Sequence, residues 1–283
     1  MRRMTIHVHG VRVPSMLYGT AWKEDATEGL VADALDAGFR GIDTANQRKH
    51  YNEEAVGRAV IAKLREGMVR REDLFLQTKF THRDGQDHRL PYDEDAPIAT
   101  QVEQSFASSL AHFEVEALDS LILHGPSERD RLGETDKQAW RAMEQIARAG
   151  RVKLLGASNV TANQVQELVA MAHVPVSFVQ NRCYADRGWD RAVRAACDEH
   201  QIVYQGFSLL TANRQVLTNG EVRAIAARHK RTPAQIVFRF AQQVGMLPLS
   251  GTKDPDHMQH DLVVETFSLD AEELALIADA GGS

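Results

Sequence analysis

Short apolar runs alternate with longer amphipathic stretches along most of the chain. A run of roughly 4–8 apolar residues bounded by glycine or polar residues is typical of a buried strand, whereas apolar residues three and four positions apart indicate a helix. Eight such runs follow one another: SMLYGTAW, FRGID, LFLQTKF, SLILHG, KLLGASN, SFVQNRC, IVYQGFSLL and MLPLSG. Helices are predicted between or after them near 23–37, 53–67, 98–113, 135–149, 161–172, 190–200, 220–230 and 254–265.

Both ends of the chain add elements to this alternation. TIHVHGVRVP alternates polar and apolar residues around a turn at His9-Gly10, which predicts a β-hairpin. TPAQIVFRFAQQVG is one helix more than strict alternation needs, and DAEELALIADAG is a C-terminal one. The sequence therefore predicts an α/β protein, a (β/α)8 TIM barrel with a short N-terminal β-hairpin and extra C-terminal helices. Since no linker interrupts the pattern, 1–283 is expected to form a single domain.

Composition narrows the choice of partners and compartment. The chain is 43% hydrophobic and 25% charged, with an interspersed net charge of −6, so neither nucleic acid nor an anionic membrane is an expected partner. No apolar run approaches a membrane span, and the start MRRMTIHVHG alternates too much for a signal peptide. Only Cys183 and Cys197 are present, which predicts no disulfide framework and fits the cytoplasm.

Four polar residues with complementary chemistry stand at or just after predicted strand ends. Asp43 closes FRGID, Lys79 closes LFLQTK, His124 closes LDSLILH, and Tyr51 follows Asp43 within the same connection. In a barrel of parallel strands, the carboxyl ends converge on one mouth, where such enzymes do their chemistry. An acid, a base, a phenol and an imidazole are therefore expected to form one proton-handling site.

Carbonyl reduction is a reaction that these four residues could carry. Hydride arriving at carbon leaves negative charge on the carbonyl oxygen, which must be protonated as it forms. Tyr51 is a suitable acid if a cation lowers its pKa from about 10; Lys79 could supply that cation, Asp43 could hold the lysine, and His124 could orient the carbonyl. Taken singly, each residue could instead have a structural role. A lyase that forms a Schiff base on Lys79 also stays open.

Five motifs extend this picture beyond the four residues: GFRGIDTA…YNEEAVG, LFLQTKF, LDSLILHGP, GRVKLLGASNV and TPAQIVFRFAQQ. Together, and in this order, they resemble the aldo-keto reductase superfamily across essentially the whole chain. The resemblance implies a (β/α)8 barrel, an Asp-Tyr-Lys-His tetrad, and a nicotinamide cofactor bound without a Rossmann motif. No G-x-G-x-x-G occurs in this sequence.

The tyrosine is where the chain departs from the family pattern. The segment DTANQRKHYNE carries two extra residues, and Tyr51 directly precedes Asn52, whereas one residue usually separates them. His50 takes the usual tyrosine position. We assign the acid role to Tyr51, the nearby phenol, with His50 as the alternative. The inserted Arg48 and Lys49 are expected to reshape the pocket or to attract an acidic substrate.

The resemblance also implies a cofactor site. Ser158, Asn159 and Gln180 would bind the nicotinamide carboxamide, and Phe207 would stack on the ring. The remaining positions that the family pattern assigns to the cofactor are Thr20 and Ala21 near the pyrophosphate or substrate, Asp43 and Thr44 beside the ring, and Ser208, Leu209, Ser250, Gly251, Thr252, Lys253, His257 and Asp261.

The site for the 2′-phosphate is less complete than in the family pattern. Leu249 replaces the usual lysine and cannot pair with a phosphate, and His257 stands near the expected arginine. Ser250, Thr252 and Lys253 could still bind an anion. NADPH is the expected cofactor, and NADH remains possible.

The remaining expectations concern a metal site, the substrate, the oligomeric state and a function other than catalysis. His257 and His260 lack a third ligand, so no metal site is predicted. The expected substrate is a small carbonyl compound, in a pocket shaped by the loops 81–97, 127–134 and 210–218. With the chain ending soon after its last helix, an open site with weak discrimination is expected. We expect a monomer or weak homo-oligomer. A non-catalytic cofactor sensor on the same barrel is the alternative to an enzyme.

Overall fold

Parallel strands close into a barrel in this computed structural model, which describes residues 5–282. The barrel strands are β3 (Leu17–Gly19), β4 (Gly41–Asp43), β5 (Phe75–Phe80), β6 (Leu118–Leu123), β7 (Val152–Ser158), β8 (Val176–Arg182), β9 (Val203–Phe207) and β10 (Met246–Ser250). Neighbours in sequence pair in parallel, and β10 closes the ring by pairing with both β9 and β3. The predicted (β/α)8 barrel is confirmed.

An antiparallel hairpin covers the N-terminal end of this barrel. Strands β1 (Thr5–Val8) and β2 (Val11–Pro14) pair from Thr5 opposite Pro14 to Val8 opposite Val11. The turn between them has positive φ at both His9 (46°) and Gly10 (81°), as tight hairpins require. Val8 and Val13 pack with Phe75 and Leu154 in an apolar cluster. The hairpin is confirmed, and the opposite end of the barrel stays open.

Helices surround the barrel on its outside. They are α1 (Thr27–Ala37), α2 (Glu53–Arg65), α3 (Ile98–Phe113), α4 (Glu134–Arg148), α5 (Ala162–Met171), α6 (Arg191–Glu199), α7 (Arg214–Thr218), α8 (Gly220–His229), α9 (Pro233–Gln243), α10 (Pro255–Leu262) and α11 (Ala271–Asp279). Within residues 5–282, none of the helices combines the length and apolar character needed to cross a membrane.

Local sequence signals explain several helix boundaries. The side chains of Thr161 and Thr232 accept a hydrogen bond from the backbone three residues on, and a glutamine at that position returns the contact. Gly38 ends α1 with φ of 108°.

Two helix boundaries and one additional helix differ from the expectation. Helix α1 begins only at Thr27, because Glu24–Ala26 forms a separate 3-10 turn. Helix α10 stops at Leu262, and α7 was not predicted. The arginines at positions 2 and 3, which entered the expectation about a signal peptide, lie outside the described residues.

Candidate active site

A cavity of about 850 Å³ opens at the carboxyl ends of the barrel strands. That volume is in the range of small-molecule and cofactor sites. Asp43, Tyr51 and His124 line it, and Lys79 lies directly below as one of the most buried side chains, with 1% of its surface exposed. The four residues that the sequence singled out are therefore brought together.

Lys79 and Asp43 form a fully buried ion pair. Lys79 Nζ donates to Asp43 Oδ1 at 2.7 Å and Oδ2 at 2.8 Å, and to the Thr44 carbonyl oxygen at 2.8 Å. All three ammonium protons are thus engaged. Burial lowers the pKa of Lys79, while the charge of Asp43 and its hydrogen bond act in the opposite direction.

Tyr51 stands above this pair, with its ring centroid 5.2 Å from Lys79 Nζ. The ring also meets the His124 ring edge-on, at 5.7 Å between centroids. Burial, and secondarily the charge of Asp43, raise the pKa of Tyr51 well above its usual value. The expected lowering of the Tyr51 pKa is therefore wrong for this arrangement, because burial and the charge of Asp43 dominate the shift. The phenol is held in its protonated form.

His124 is held as a neutral imidazole. Its pKa is lowered to about 3, mainly by burial and also by the nearby Lys79 and His50. Its Nδ1 lies 2.6 Å from Thr81 Oγ1, so the hydroxyl fixes the ring orientation. The Asn159 side chain donates to the His124 carbonyl at 2.8 Å and joins the ends of β6 and β7.

The inserted segment that carries Tyr51 is held by the long polar loop 81–97. Gln86 Nε2 donates to the carbonyl of Asn46 at 2.9 Å, and Gln47 Nε2 donates to that of Gly85 at 2.6 Å. Arg89 completes the bridge with a 2.9 Å hydrogen bond to the carbonyl of Arg48. Buried backbone groups need such partners, and the two loops supply them to each other.

The insertion also brings His50 to the cavity. Its ring stacks on Trp22 with 3.9 Å between centroids, and its carbonyl accepts from the Trp22 amide at 2.8 Å. Trp22 is 59% exposed and forms the rim of the cavity. Arg48 and Lys49 are not among the residues that line the cavity, and the expected attraction of an acidic substrate stays a prediction.

The residues assigned to a cofactor by resemblance lie along the same cavity, with Thr20 and Thr44 as exceptions. Those that line it are Ala21, Asp43, Ser158, Asn159, Gln180, Phe207, Ser208, Leu209, Ser250, Gly251, Thr252, Lys253, His257 and Asp261. Thr20 is fully buried, and both its amide and its hydroxyl donate to the carbonyl of Asp43 at 3.0 Å. The expectation that Thr20 lines the mouth is wrong, because its hydroxyl satisfies the β4 backbone instead.

At the carboxamide end, Ser158 and Asn159 are partly committed within the protein. Ser158 Oγ donates to the Gln180 carbonyl at 2.6 Å and accepts from Asn159 Nδ2 at 3.1 Å. Asn159 adopts a left-handed backbone conformation with φ of 57°. These bonds tie the ends of β7 and β8 together and fix the cavity wall there.

The far end of the cavity carries basic residues. Lys253, His257 and His260 line its rim. Below them, Ser250 Oγ donates to Asp261 Oδ2 at 2.6 Å, and burial raises the pKa of Asp261 to about 6. Lys23 is buried beside this rim and donates to the Gly251 carbonyl at 2.9 Å.

Several cavity residues were missed from the sequence. Trp22, Arg182 and His260 line it without having been assigned a role. Gln77 and Gln205 lie beneath it, fully buried and hydrogen-bonded to each other. A single glutamine inside each of the apolar runs LFLQTKF and IVYQGFSLL was the signal that could have found this pair.

Neither a metal-ligand cluster nor an exposed thiol occurs in the described part of the chain. Across residues 5–282, no group of three or more His, Cys, Asp or Glu side chains could hold a metal ion. Cys183 and Cys197 are free and buried, and burial raises the pKa of both thiols to about 12.

A closed parallel barrel with Asp43, Lys79, Tyr51 and His124 gathered at its open end defines the class: a (β/α)8 barrel protein with a candidate active site at the carboxyl ends of its strands. The sequence profile described as the Aldo/keto reductase family matches residues 15–281. The chain belongs to the aldo-keto reductase family, which confirms the resemblance drawn from its motifs.

Curated relatives agree with this assignment, and a solved structure agrees with the fold. The chain is 27% identical to the NAD(P)H-dependent D-xylose reductase of Hypocrea jecorina, over 95% of this chain and 90% of that one. It is 30% identical to an aldo-keto reductase of Mycobacterium tuberculosis, over 89% and 81% of the two chains. A silkworm aldo-keto reductase solved with NADPH has the same fold, with a TM-score of 0.85, 23% identity, and 99% and 88% of the two chains covered.

Proposed function

We propose that this protein is an NADPH-dependent carbonyl reductase that converts a small aldehyde or ketone to an alcohol. The observation that carries the proposal is Lys79, buried between the Asp43 carboxylate and the Tyr51 ring, with His124 against the other side of that ring. The Hypocrea relative, named for NAD(P)H dependence, and the silkworm structure with NADPH support this cofactor.

The polar groups around the cavity fit a nicotinamide cofactor. Phe207 supplies an aromatic face, and Lys253 and His257 supply cationic groups at the far end. When bound, the cofactor supplies a hydride to the carbonyl carbon. NADPH is favoured over NADH because phosphate recognition needs such cations.

Tyr51 is the proton donor in this mechanism. As hydride reaches the carbonyl carbon, the electron pair of the C=O bond moves to oxygen, which takes the proton of the Tyr51 hydroxyl. Lys79 then stabilises the resulting phenolate from below, and Asp43 holds Lys79 in place. The raised pKa of Tyr51 keeps the acid protonated before the reaction.

His124 orients the substrate in this proposal. Its pKa of about 3 keeps the imidazole neutral at ordinary pH. If the Thr81 hydroxyl donates to Nδ1, the proton of His124 stands on Nε2 and can hydrogen-bond the carbonyl oxygen. Trp22 and His50 form the adjoining wall, an aromatic surface suited to a small aromatic carbonyl compound.

The engagement of Lys79 argues against the lyase. A Schiff base needs a free amine, whereas all three protons of Lys79 are donated to Asp43 and Thr44 beneath the cavity. No observation favours the sensor, which becomes an outcome of the experiment. The cytoplasmic location and the monomeric or weakly oligomeric state stay predictions.

The test is NADPH oxidation with a reactive aromatic aldehyde, followed by absorbance. We expect Tyr51→Phe to lower kcat by at least about 100-fold, since removing a positioned general acid costs roughly 10²–10⁴ in rate. His50→Ala is the matched control, because His50 lines the same wall, and it should retain most of the turnover. Loss in His50→Ala with activity in Tyr51→Phe would move the acid to His50. Tight NADPH binding without turnover of any carbonyl by the wild type would favour the sensor.

A further inference from the structure

Three glutamines form a buried layer directly under the candidate site. Gln77 on β5, Gln180 on β8 and Gln205 on β9 have 0%, 3% and 0% of their surfaces exposed. Gln77 and Gln180 each donate to Asp43 Oδ1, at 2.7 and 2.9 Å, and each donates to Gln205 Oε1 at 2.8 Å. Gln205 Nε2 returns a hydrogen bond to Gln77 Oε1 at 3.0 Å.

This layer allows only one orientation of the Gln180 amide. Its two amide protons point inward, one to the Asp43 carboxylate and one to the Gln205 carbonyl. A flipped Gln180 would set its own oxygen against those two acceptors, which is repulsive and leaves both without a donor. Gln205 is in turn oriented by its two hydrogen bonds with Gln77.

The remaining polar atom of Gln180 is its amide oxygen. No hydrogen bond to Gln180 Oε1 exists among the described residues, and this oxygen is not among the fully enclosed unpartnered atoms there. Gln180 also lines the cavity. Its Oε1 therefore borders the cavity as an unused acceptor in a fixed position.

We propose that Gln205, supported by Gln77, is a positioning residue that holds the Gln180 amide oxygen toward the cavity as the acceptor for the amino group of the nicotinamide carboxamide. This inference rests on the proposed function. Gln205 does not touch the cofactor and acts through Gln180. Loss of Gln205 frees the Gln180 amide to rotate and removes a fixed acceptor, rather than removing a contact.

A pair of cofactors isolates this effect. In the 3-acetylpyridine analogue of NADP⁺, a methyl group replaces the carboxamide amino group, so the hydrogen bond to Gln180 is lost while the rest of the molecule is unchanged. Dissociation constants of both are measured by quenching of the tryptophan fluorescence. We expect the wild type to prefer NADP⁺ by roughly five- to tenfold, as for one hydrogen bond.

In Gln205→Met, which keeps the length of the side chain, this preference should shrink to less than about twofold. A residue that only stabilises the fold would weaken both cofactors equally and leave the ratio unchanged. Ser120→Ala is the matched control: Ser120 pairs with Gln77 in the β5–β6 register, and its buried hydroxyl has no partner in the described part of the chain. This variant should keep the wild-type ratio.

If Gln205→Met does not fold, Gln77→Met is the second variant. It frees the Gln205 side chain and should also lower the preference for NADP⁺ over the analogue. The inference is overturned if a folded glutamine variant keeps the wild-type preference for NADP⁺ over the analogue. It is also overturned if the wild-type protein binds both cofactors equally. In either case the proposed function still stands, provided that the wild-type protein binds NADP⁺ and reduces aldehydes. A wild type that binds neither cofactor overturns both.

Discussion

At the scale of single residues, the ion pair between Lys79 and Asp43 links stability to activity. Neither side chain has more than 3% of its surface exposed. Removing one partner of a buried pair leaves an uncompensated charge and costs about 3–5 kcal/mol. We expect Lys79→Met to abolish turnover and to lower the free energy of unfolding by about that amount, measured by urea titration at pH 7.

The double variant Asp43→Asn with Lys79→Met is the control for this prediction. With both charges removed, no buried charge is left unpaired, so the double variant should be more stable than Lys79→Met alone. Turnover should stay absent. If the double variant were instead less stable by the sum of the two single changes, uncompensated charge would not be the cause.

His124 predicts a pH dependence of stability. Its pKa is lowered from 6.5 to about 3 in the folded protein, so between these values the unfolded chain binds more protons than the folded one. Stability therefore rises with pH through this window, and the contribution of a neutral His124 is lost as the pH falls from about 6.5 toward 3.

The measurement is urea unfolding of the wild type and of His124→Asn at pH 7 and pH 5. We expect the wild type to lose more stability than the variant, because Asn does not titrate. Other groups titrate in both proteins and cancel in this difference. Equal losses would mean that His124 is not held neutral by its surroundings.

How far the sequence predicted individual residues depends on the direction of their side chains. The ends of parallel strands share one edge of a barrel, so Asp43, Lys79 and His124 could be placed together from strand boundaries alone. Thr20 could not be placed, because its hydroxyl turns to the Asp43 carbonyl. The glutamines Gln77 and Gln205 were missed because an apolar run indicates a buried strand without showing which polar side chains meet across the barrel interior.

At the scale of elements, the two loops at the mouth behave as one unit. The segment 44–52 carries Tyr51, and loop 81–97 supplies hydrogen bonds to its backbone, among them the one from Gln86 to the Asn46 carbonyl. The length of loop 81–97 was visible in the sequence, whereas its contact with the insertion was not. Side-chain to backbone hydrogen bonds between distant loops leave no periodic pattern.

Gln86→Leu should loosen the segment that holds Tyr51. Because the buried Asn46 carbonyl loses its donor, we expect kcat for aldehyde reduction to fall roughly tenfold, since small misplacements of a reacting group are costly. The Kd of NADPH should change little. Steady-state kinetics and fluorescence titration measure the two quantities.

Asp84→Asn provides the comparison, since Asp84 is exposed in the same loop. It should leave kcat unchanged. A Gln86→Leu variant with normal kcat would show that Tyr51 is held without the help of loop 81–97.

At the scale of the whole molecule, the packed hairpin and the candidate site lie at opposite ends of the barrel axis. The hairpin closes the N-terminal end, where Val13 is fully buried with Phe75 and Leu154. The cavity occupies the opposite end. Alternating apolar runs predicted the closed barrel, because eight βα units allow few other arrangements. They did not predict that the hairpin would lie at its N-terminal end.

This arrangement predicts that matched substitutions at the two ends differ in their effect on cofactor binding. Val13→Ala removes two buried methyl groups and should lower the free energy of unfolding by roughly 1–3 kcal/mol, while kcat/KM stays within about twofold of the wild type. Leu209→Ala, at the buried wall of the cavity, should lower both stability and NADPH affinity. Urea unfolding and NADPH titration of the two variants test the idea. A fall in cofactor affinity in Val13→Ala comparable to that in Leu209→Ala would mean that the ends are coupled through the barrel, since packed interiors transmit strain.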